Sequence, residues 1–171
     1  RHLTPAHTPV LLADTVALLA PRHDGWYVDG TLGLGGHTEA LLEAGAGVVI
    51  GIDRDAHALA RARTRLAPFG ERVRFVHADY RDLRRVLDAQ GRETVDGVLV
   101  DLGVSSMQLD EAERGFSFRH DGPLDMRMDQ SSGQTLAERL ATVDADTLAD
   151  VIYRFGEERK SRRVARAIVE A

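Results

Sequence analysis

The sequence of 171 residues has no cysteine, and Lys160 is the sole lysine among its 22 basic residues. Without cysteine there is neither a disulfide framework nor a thiolate metal site. No apolar run approaches the roughly 20 residues needed to span a bilayer, and no leader pattern opens the chain. The expectation is a cytoplasmic protein. No set of His, Asp and Glu has metal-ligand spacing. No G-K-[ST] follows a glycine loop, which excludes P-loop chemistry, and no G-x-S-x-G elbow is present. Ser105 and Ser106 have no evident base and do not form a nucleophile pair. The formal net charge of −5 excludes a uniformly basic nucleic-acid sleeve but leaves room for a local patch. The use of Arg in place of Lys reads first as codon bias, although the guanidinium also suits phosphate better.

What is present is a globular composition, 43% hydrophobic and 29% charged, in a chain long enough for a sizeable core. Residues 1–25 read as an arm and a short helix, with an apolar face in Val10–Ala20. From Trp26 strands and helices alternate. "WYVDG" is a strand, and His37–Ala44 a helix stopped by Gly45. "VVIGID" (Val48–Asp53) is a continuous apolar run typical of a strand buried on both faces. Residues 55–67 read as a helix ended by Pro68 and Gly70. "VRFVHAD" (Val73–Asp79) is a third strand, and Leu83, Val86 and Leu87 mark a helix that Gly91 can close. "VDGVLVDLG" (Val95–Gly103) is a fourth strand. Such alternation implies βαβ units and a parallel sheet, with ligands at the carboxyl ends of the strands. Residues 103–133 have no clear period. Helices resume at Thr135, where "TLAE" fits a capping box, and continue through Leu148, Val151, Ile152 and Phe155 to "GEERKSRRVARAIVEA".

The segment "YVDGTLGLGGHTEALL" (Tyr27–Leu42) sets four glycines, Gly30, Gly33, Gly35 and Gly36, between a strand and a helix. A strand, a glycine loop, a helix and then an acid, Asp53, at the end of the next strand is the nucleoside-binding plan. In that plan Asp53 accepts the ribose hydroxyls. The dinucleotide fingerprint G-x-G-x-x-G starts at Gly33 and Gly35 but meets Thr38 where its third glycine belongs. Asp29, Asp53, Asp79 and Asp101 sit at strand ends on the same edge, which repels a pyrophosphate and suits a cation. S-adenosylmethionine, with its ribose, sulfonium and ammonium and no phosphate, fits. Asp29 is equally readable as a structural acid bonding loop amides. Asp79 reads best as an N-cap. Tyr80 reads as core packing or as an adenine platform.

The chain resembles the ribosomal RNA small-subunit methyltransferase H family, also called MraW. "HTPVLL" (His7–Leu12), "YVDGTLGLGGH", "GIDRD" (Gly51–Asp55), "DGVLVDLGVSSMQLD" (Asp96–Asp110), "ERGFSFRHDGPLDMRMD" (Glu113–Asp129) and the C-terminal stretch carry the resemblance, in order along nearly the whole chain. It implies methylation of the N4 amine of a cytidine in 16S ribosomal RNA by S-adenosylmethionine. It implies an α/β fold, the Rossmann-like S-adenosylmethionine-dependent methyltransferase fold, with a parallel sheet, helices on both faces and an inserted helical subdomain, truncated here at its C-terminal side. Residues 1–110 are then the N-terminal part of the methyltransferase domain, and 111–171 the start of the insertion. The family's cofactor contacts fall on Gly35, Gly36, His37, Asp53, Tyr80, Asp101 and Gln108, with no metal. A hydrogen-bond acceptor at the base's N4–H would aid attack, and Asp101, otherwise only a cofactor contact, or a backbone carbonyl in "DLGV" is the candidate for it. The implied partner is 16S ribosomal RNA in the small ribosomal subunit, with no membrane; the assembly is left open, with a homodimer among the options. The D-P-P-Y motif of many amino-methyltransferases is replaced by "DLGV", so that class's base-positioning rules do not transfer.

Phe116, Phe118 and Arg119 are candidates to hold an unstacked base, and pinning of the loop to the core is the other reading of the phenylalanines. Arg154, Arg159, Lys160, Arg162, Arg163 and Arg166 form either a phosphate patch or a solvated face with i,i+4 ion pairs. A non-catalytic RNA-binding module and a nicotinamide-dependent dehydrogenase are the rival functions. The retained set of glycines and acids opposes the first, and the missing glycine and the acidic edge oppose the second.

Overall fold

The computed structural model describes residues 9–171. His7 and Thr8, the start of the His7–Leu12 stretch, lie outside the described residues. The chain forms two compact units, Arg1–Gly103 and Val104–Ala171.

The first unit is a parallel sheet of β1 (Trp26–Asp29), β2 (Val48–Asp53), β3 (Val73–His77) and β4 (Gly97–Leu99), in the order β3-β2-β1-β4. Between the strands run α1 (Leu12–Leu19), α2 (Gly36–Glu43), α3 (Ala56–Leu66) and α4 (Leu83–Ala89), α1 preceding the sheet. The order reverses direction at β1, which has β2 on one side and β4 on the other. A crevice opens at such a switch point, outside the carboxyl ends of the strands.

Side chains of alternate parity along each strand enter two separate cores. Tyr27, Val49 and Val73 pack with Leu41 and Leu42 of α2 and with Leu59, Ala62 and Leu66 of α3. Val28, Ile50 and Ile52 pack with Val86 and Leu87 of α4 on the opposite face. Helices therefore cover both faces, which is why "VVIGID" shows no polar alternation. Gly51 interrupts that run because a Cβ there would lie 2.8 Å from both Leu32 methyl carbons, where the glycine loop folds back on the sheet.

The strand expected over Val95–Gly103 is much shorter. Only Gly97–Leu99 pair, because β4 has β1 as its one neighbour among the described residues and β1 is itself four residues long. Past Leu99 the chain is held by the loop instead: Gly30 N–H donates to Leu99 O at 2.8 Å and Asp101 N–H to Thr31 Oγ1 at 2.7 Å.

The second unit holds α5 (Ser106–Asp110), α6 (Leu136–Leu140), α7 (Ala145–Gly156) and α8 (Ser161–Val169). The capping box at "TLAE" is formed: Glu138 N–H donates to Thr135 Oγ1 at 3.1 Å, and Thr135 N–H to Glu138 Oε2 at 2.8 Å. The aperiodic stretch before it is stitched by ion pairs such as Arg127 with Asp125 at 2.7 Å. It also holds Arg114, buried, donating to the carbonyls of Arg127 and Met128. α7 and α8 pack as a pair, and their small residues Ala149 and Ala165 are buried.

Candidate functional site

The carboxyl edge of the first unit is organised around the glycine loop. Five consecutive or near-consecutive amides of that loop have fixed acceptors. Besides Gly30, Thr31 N–H donates to Asp29 Oδ1 at 3.2 Å, Leu32 N–H to Ile52 O at 2.9 Å, Gly33 N–H to Asp53 Oδ2 at 2.7 Å and Gly35 N–H to Leu32 O at 2.8 Å. β1, β2 and β4 thus each hold part of one turn. Gly35 sits at φ 81°, and a Cβ there would also lie 2.8 Å from Leu66 Cδ1. Both constraints select glycine. At Gly33 a Cβ would meet nothing nearer than Thr31 O at 3.8 Å, so this part of the backbone faces open space.

Asp29 is buried at 1% exposure, and its second oxygen accepts the Thr38 hydroxyl at 2.8 Å. Burial pushes its carboxyl up to about 6, against the opposing pull of the Thr38 and Thr31 hydrogen bonds. This acid braces the start of the loop against α2. Thr38, itself fully buried, occupies the place of the third fingerprint glycine and supplies that brace. Reading Thr38 only as a missing glycine overlooks this role. The Asp29-Gly30-Thr31 order signals only the bond to the Thr31 amide, in which an Asp bonds the amide two residues on; no local pattern marks the bond from Thr38.

Asp53 closes β2. Its two oxygens accept the amides of Gly33 at 2.7 Å and Asp55 at 2.8 Å. Burial raises its carboxyl above the usual range, and those amides oppose the rise. Each carboxylate oxygen has two lone pairs, so two acceptor sites remain on Asp53 after these bonds. Asp55, the next acid, caps α3 through the amides of His57 and Ala58.

His37, in the first turn of α2, is buried, and its Nε2 lies 3.0 Å from Val10 O. Gly36 lies under the same arm, since a Cβ there would fall 2.5 Å from Pro9 Cγ. Tyr80, 39% exposed, lies beside the loop: a Cβ on Gly30 would be 3.1 Å from Tyr80 Cβ. Asp101 is exposed, and its carboxylate has no partner among the described residues. Asp79 caps the turn after β3 through the Arg81 amide at 2.9 Å, as its position suggested. The Arg81 guanidinium bonded to it holds its carboxyl below the ordinary range. Of the four edge acids, then, Asp29 is buried and Asp79 is paired, and Asp53 and Asp101 are the two with acceptor capacity toward a ligand.

Gln108 belongs to the second unit, where it is buried and its Oε1 accepts the Ser105 amide at 3.1 Å in a capping box at the start of α5. Phe116 is partly buried, whereas Phe118 is fully exposed and Arg119 is exposed beside it. The described residues contain no cluster of His, Asp and Glu able to hold a metal ion.

A parallel β3-β2-β1-β4 sheet covered on both faces, with its glycine loop at the switch point and an acid closing β2, is the architecture of Rossmann-like methyltransferases. The chain belongs to the MraW methylase family, whose family model matches residues 4–171. It is similar to proteins named ribosomal RNA small subunit methyltransferase H. The Sorangium cellulosum protein is 55% identical over 165 residues, 96% of this chain and 52% of that one. Those of Nocardioides sp. and Rhodospirillum rubrum are 56% and 54% identical, covering 96% and 98% of this chain and 53% and 51% of theirs. The chain spans about half the length of these curated relatives.

Proposed function

We propose that the protein transfers a methyl group from S-adenosylmethionine to the exocyclic N4 amine of a cytidine in 16S ribosomal RNA. The observation that carries this reading is the bond from Gly33 N–H to Asp53 Oδ2, in a chain of this family. It holds the ribose-binding acid of the nucleoside plan against a glycine backbone that faces open space. The residues fit the cofactor. Asp53 keeps two acceptor sites for ribose hydroxyls, Tyr80 offers a partly exposed ring beside Gly30 for adenine, and Asp101 offers a free carboxylate. Gly35, Gly36 and His37 would supply backbone to the methionine end, and Gln108 is carried over from the family pattern as a further contact.

When bound, the cofactor supplies an electrophilic methyl group on sulfur. The protein's task is to hold the amine in line behind it at near-attack distance. Cytosine N4 is a weak nucleophile because its lone pair is delocalised into the ring. Asp101, accepting an N4–H hydrogen bond, would localise that pair as the nitrogen–methyl bond formed and the carbon–sulfur bond broke, and would receive the proton that the methylated amine sheds. The base leaves its stack to reach such a site. On this reading residues 111–171 begin an inserted helical subdomain and the substrate is the assembled small subunit.

Calorimetric titration with S-adenosylmethionine, with NADH as control, tests the cofactor. Incubation with 16S ribosomal RNA, followed by nucleoside digestion and mass analysis, tests the product. Binding of the sulfonium nucleoside alone and appearance of N4-methylated cytidine are expected. Binding of NADH instead, or methylation at a different atom, overturns the reading.

A further inference from the structure

Most arginines of this chain already have partners. Arg22 pairs with Asp96 at 2.7 Å, Arg54 with Asp79 at 3.5 Å, Arg84 with Asp88 at 2.8 Å and Arg85 with Asp82 at 3.1 Å. Arg65 holds Glu39, Arg72 donates to the carbonyls of Leu42 and Ala46, and Arg63 and Arg92 lie over the rings of Phe75 and Trp26. The stretch from Arg159 to Val169 differs. It carries five cations and no acid, in a chain whose formal charge is −5. Arg162, Arg163 and Arg166 are exposed, and none has an anionic partner among the described residues.

Their placement on α8 is specific. At 100° per residue the three fall within an arc of about 100°. Ser161 and Ala165, the residues buried as α8 packs with α7, lie on the other side. The solvated-face alternative needs i,i+4 ion pairs. Glu158 and Arg162, and Arg166 and Glu170, have that spacing, yet neither pair is formed. Glu158 is used instead as an acceptor for the Lys160 amide at 2.6 Å. Three guanidinium groups therefore repel one another on one helix face with no internal compensation. Such a face is compensated by an external polyanion, and the planar fork of Arg matches phosphate oxygens.

We infer that the Arg162, Arg163 and Arg166 face of α8 binds the phosphate backbone of the RNA substrate. This rests on the methyltransferase reading for the identity of the RNA. The contact carries affinity and no sequence information, because phosphates are the same at every nucleotide. Arg154 serves as the internal control. It lies five positions beyond Ala149 on α7, about 140° around the helix from the face that meets α8.

The test is binding of a 16S ribosomal RNA transcript across a salt series, with S-adenosylmethionine titration of the same preparations. The variants are Arg162→Gln/Arg163→Gln/Arg166→Gln, the corresponding triple Lys variant, and Arg154→Gln. Gln, Lys and Arg have near-equal helix propensity, so α8 is retained. The triple Gln variant is expected to bind RNA at least about tenfold more weakly near physiological salt, with a log–log salt slope shallower by about 2. The triple Lys variant keeps most of the slope, Arg154→Gln keeps both, and cofactor affinity is unchanged in all of them. A triple Gln variant that binds RNA with wild-type affinity and slope overturns the inference and leaves the face to an acidic protein partner. Equal losses from Arg154→Gln overturn the assignment to this face. A wild-type protein that binds S-adenosylmethionine but not RNA overturns the inference alone. One that binds no S-adenosylmethionine overturns the methyltransferase reading separately.

Discussion

Replacing Asp29 by Asn should make the sheet unit more stable, by an amount that grows with pH. The folded carboxyl titrates at about 6, against 3.8 for a free one. Between those values the folded state binds the proton more tightly than the unfolded state, so wild-type stability falls as pH rises from about 4 to about 6 and then levels off. At 1.36 kcal/mol per pKa unit, the burial of charge at Asp29 costs about 3 kcal/mol at pH 7. Asn keeps an acceptor for the Thr31 amide. The Thr38 hydroxyl, which donates in the wild type, can rotate to accept from the new side-chain amide. The variant therefore removes the charge without emptying the site. Asp53, also raised by burial, gives a slope of the same sign, while Asp79, Asp125 and Asp144, all lowered, give the opposite one. These contributions cancel when the Asp29→Asn variant is compared with wild type at each pH. Trp26, the single tryptophan, lies in β1 and reports on this unit by fluorescence. Denaturant midpoints from pH 4 to 8 should coincide near pH 4 and diverge to a gain of about 2–3 kcal/mol at pH 7.5. A difference that stays flat with pH, or a variant less stable than wild type at pH 7.5, would refute the assignment of this charge as buried and costly.

Three further outcomes follow from the same geometry. Asp53→Ala should weaken S-adenosylmethionine binding by roughly 1–3 kcal/mol, the cost of unpaired hydroxyls and of a released Gly33 amide; calorimetry showing unchanged affinity would remove Asp53 from the site. Gly35→Ala combines a left-handed φ with a 2.8 Å approach to Leu66 Cδ1 and should cost about 2 kcal/mol by the Trp26 signal, whereas a cost below about 0.5 kcal/mol would mean that the turn is looser than described. Thr135→Ala should remove about 1 kcal/mol of capping from α6 and speed amide exchange over Leu136–Leu140, leaving the Trp26 transition in place; unaltered exchange would show that the capping box contributes nothing.

The strand and helix order was legible because each βαβ step leaves an independent mark. "VVIGID" matches β2 residue for residue, since a strand buried on both faces has no other way to be written. "TLAE" gave the start of α6 because a capping box is local in sequence. β4 was overestimated because apolar character continues to Val104 while pairing stops at Leu99, and pairing depends on a neighbour that local sequence does not describe. The candidate site divides in the same way. Gly35 and Asp53 were readable from spacing. The use of His37 Nε2 toward Val10 O, 27 residues away, and of Thr38 toward Asp29 required the folded chain. The acidic edge also reads differently in three dimensions, because Arg81 and Arg54 neutralise Asp79 and burial favours the neutral form of Asp29.

Glycine is the most costly residue to immobilise, and this loop contains four within seven positions. That cost is offset before any ligand arrives. The amides of Gly30, Thr31, Leu32, Gly33 and Gly35 all have acceptors, drawn from β4, β1, β2 and the loop itself. A loop so held loses little further entropy on binding, and this raises affinity for whatever fits it. It also explains why the acids at the strand ends take different roles. Asp29 fixes the loop and is shielded from solvent. Asp53 fixes the loop with half of its acceptor capacity and keeps the rest for a ligand. Asp101 contributes its amide to Thr31 Oγ1 and leaves its carboxylate free. The gradation from buried brace to shared anchor to free acceptor runs across β1, β2 and β4. On the proposed reading ligand contact falls to Asp53 and Asp101, and Asp29→Asn alone among substitutions of these three acids is expected to leave cofactor affinity intact.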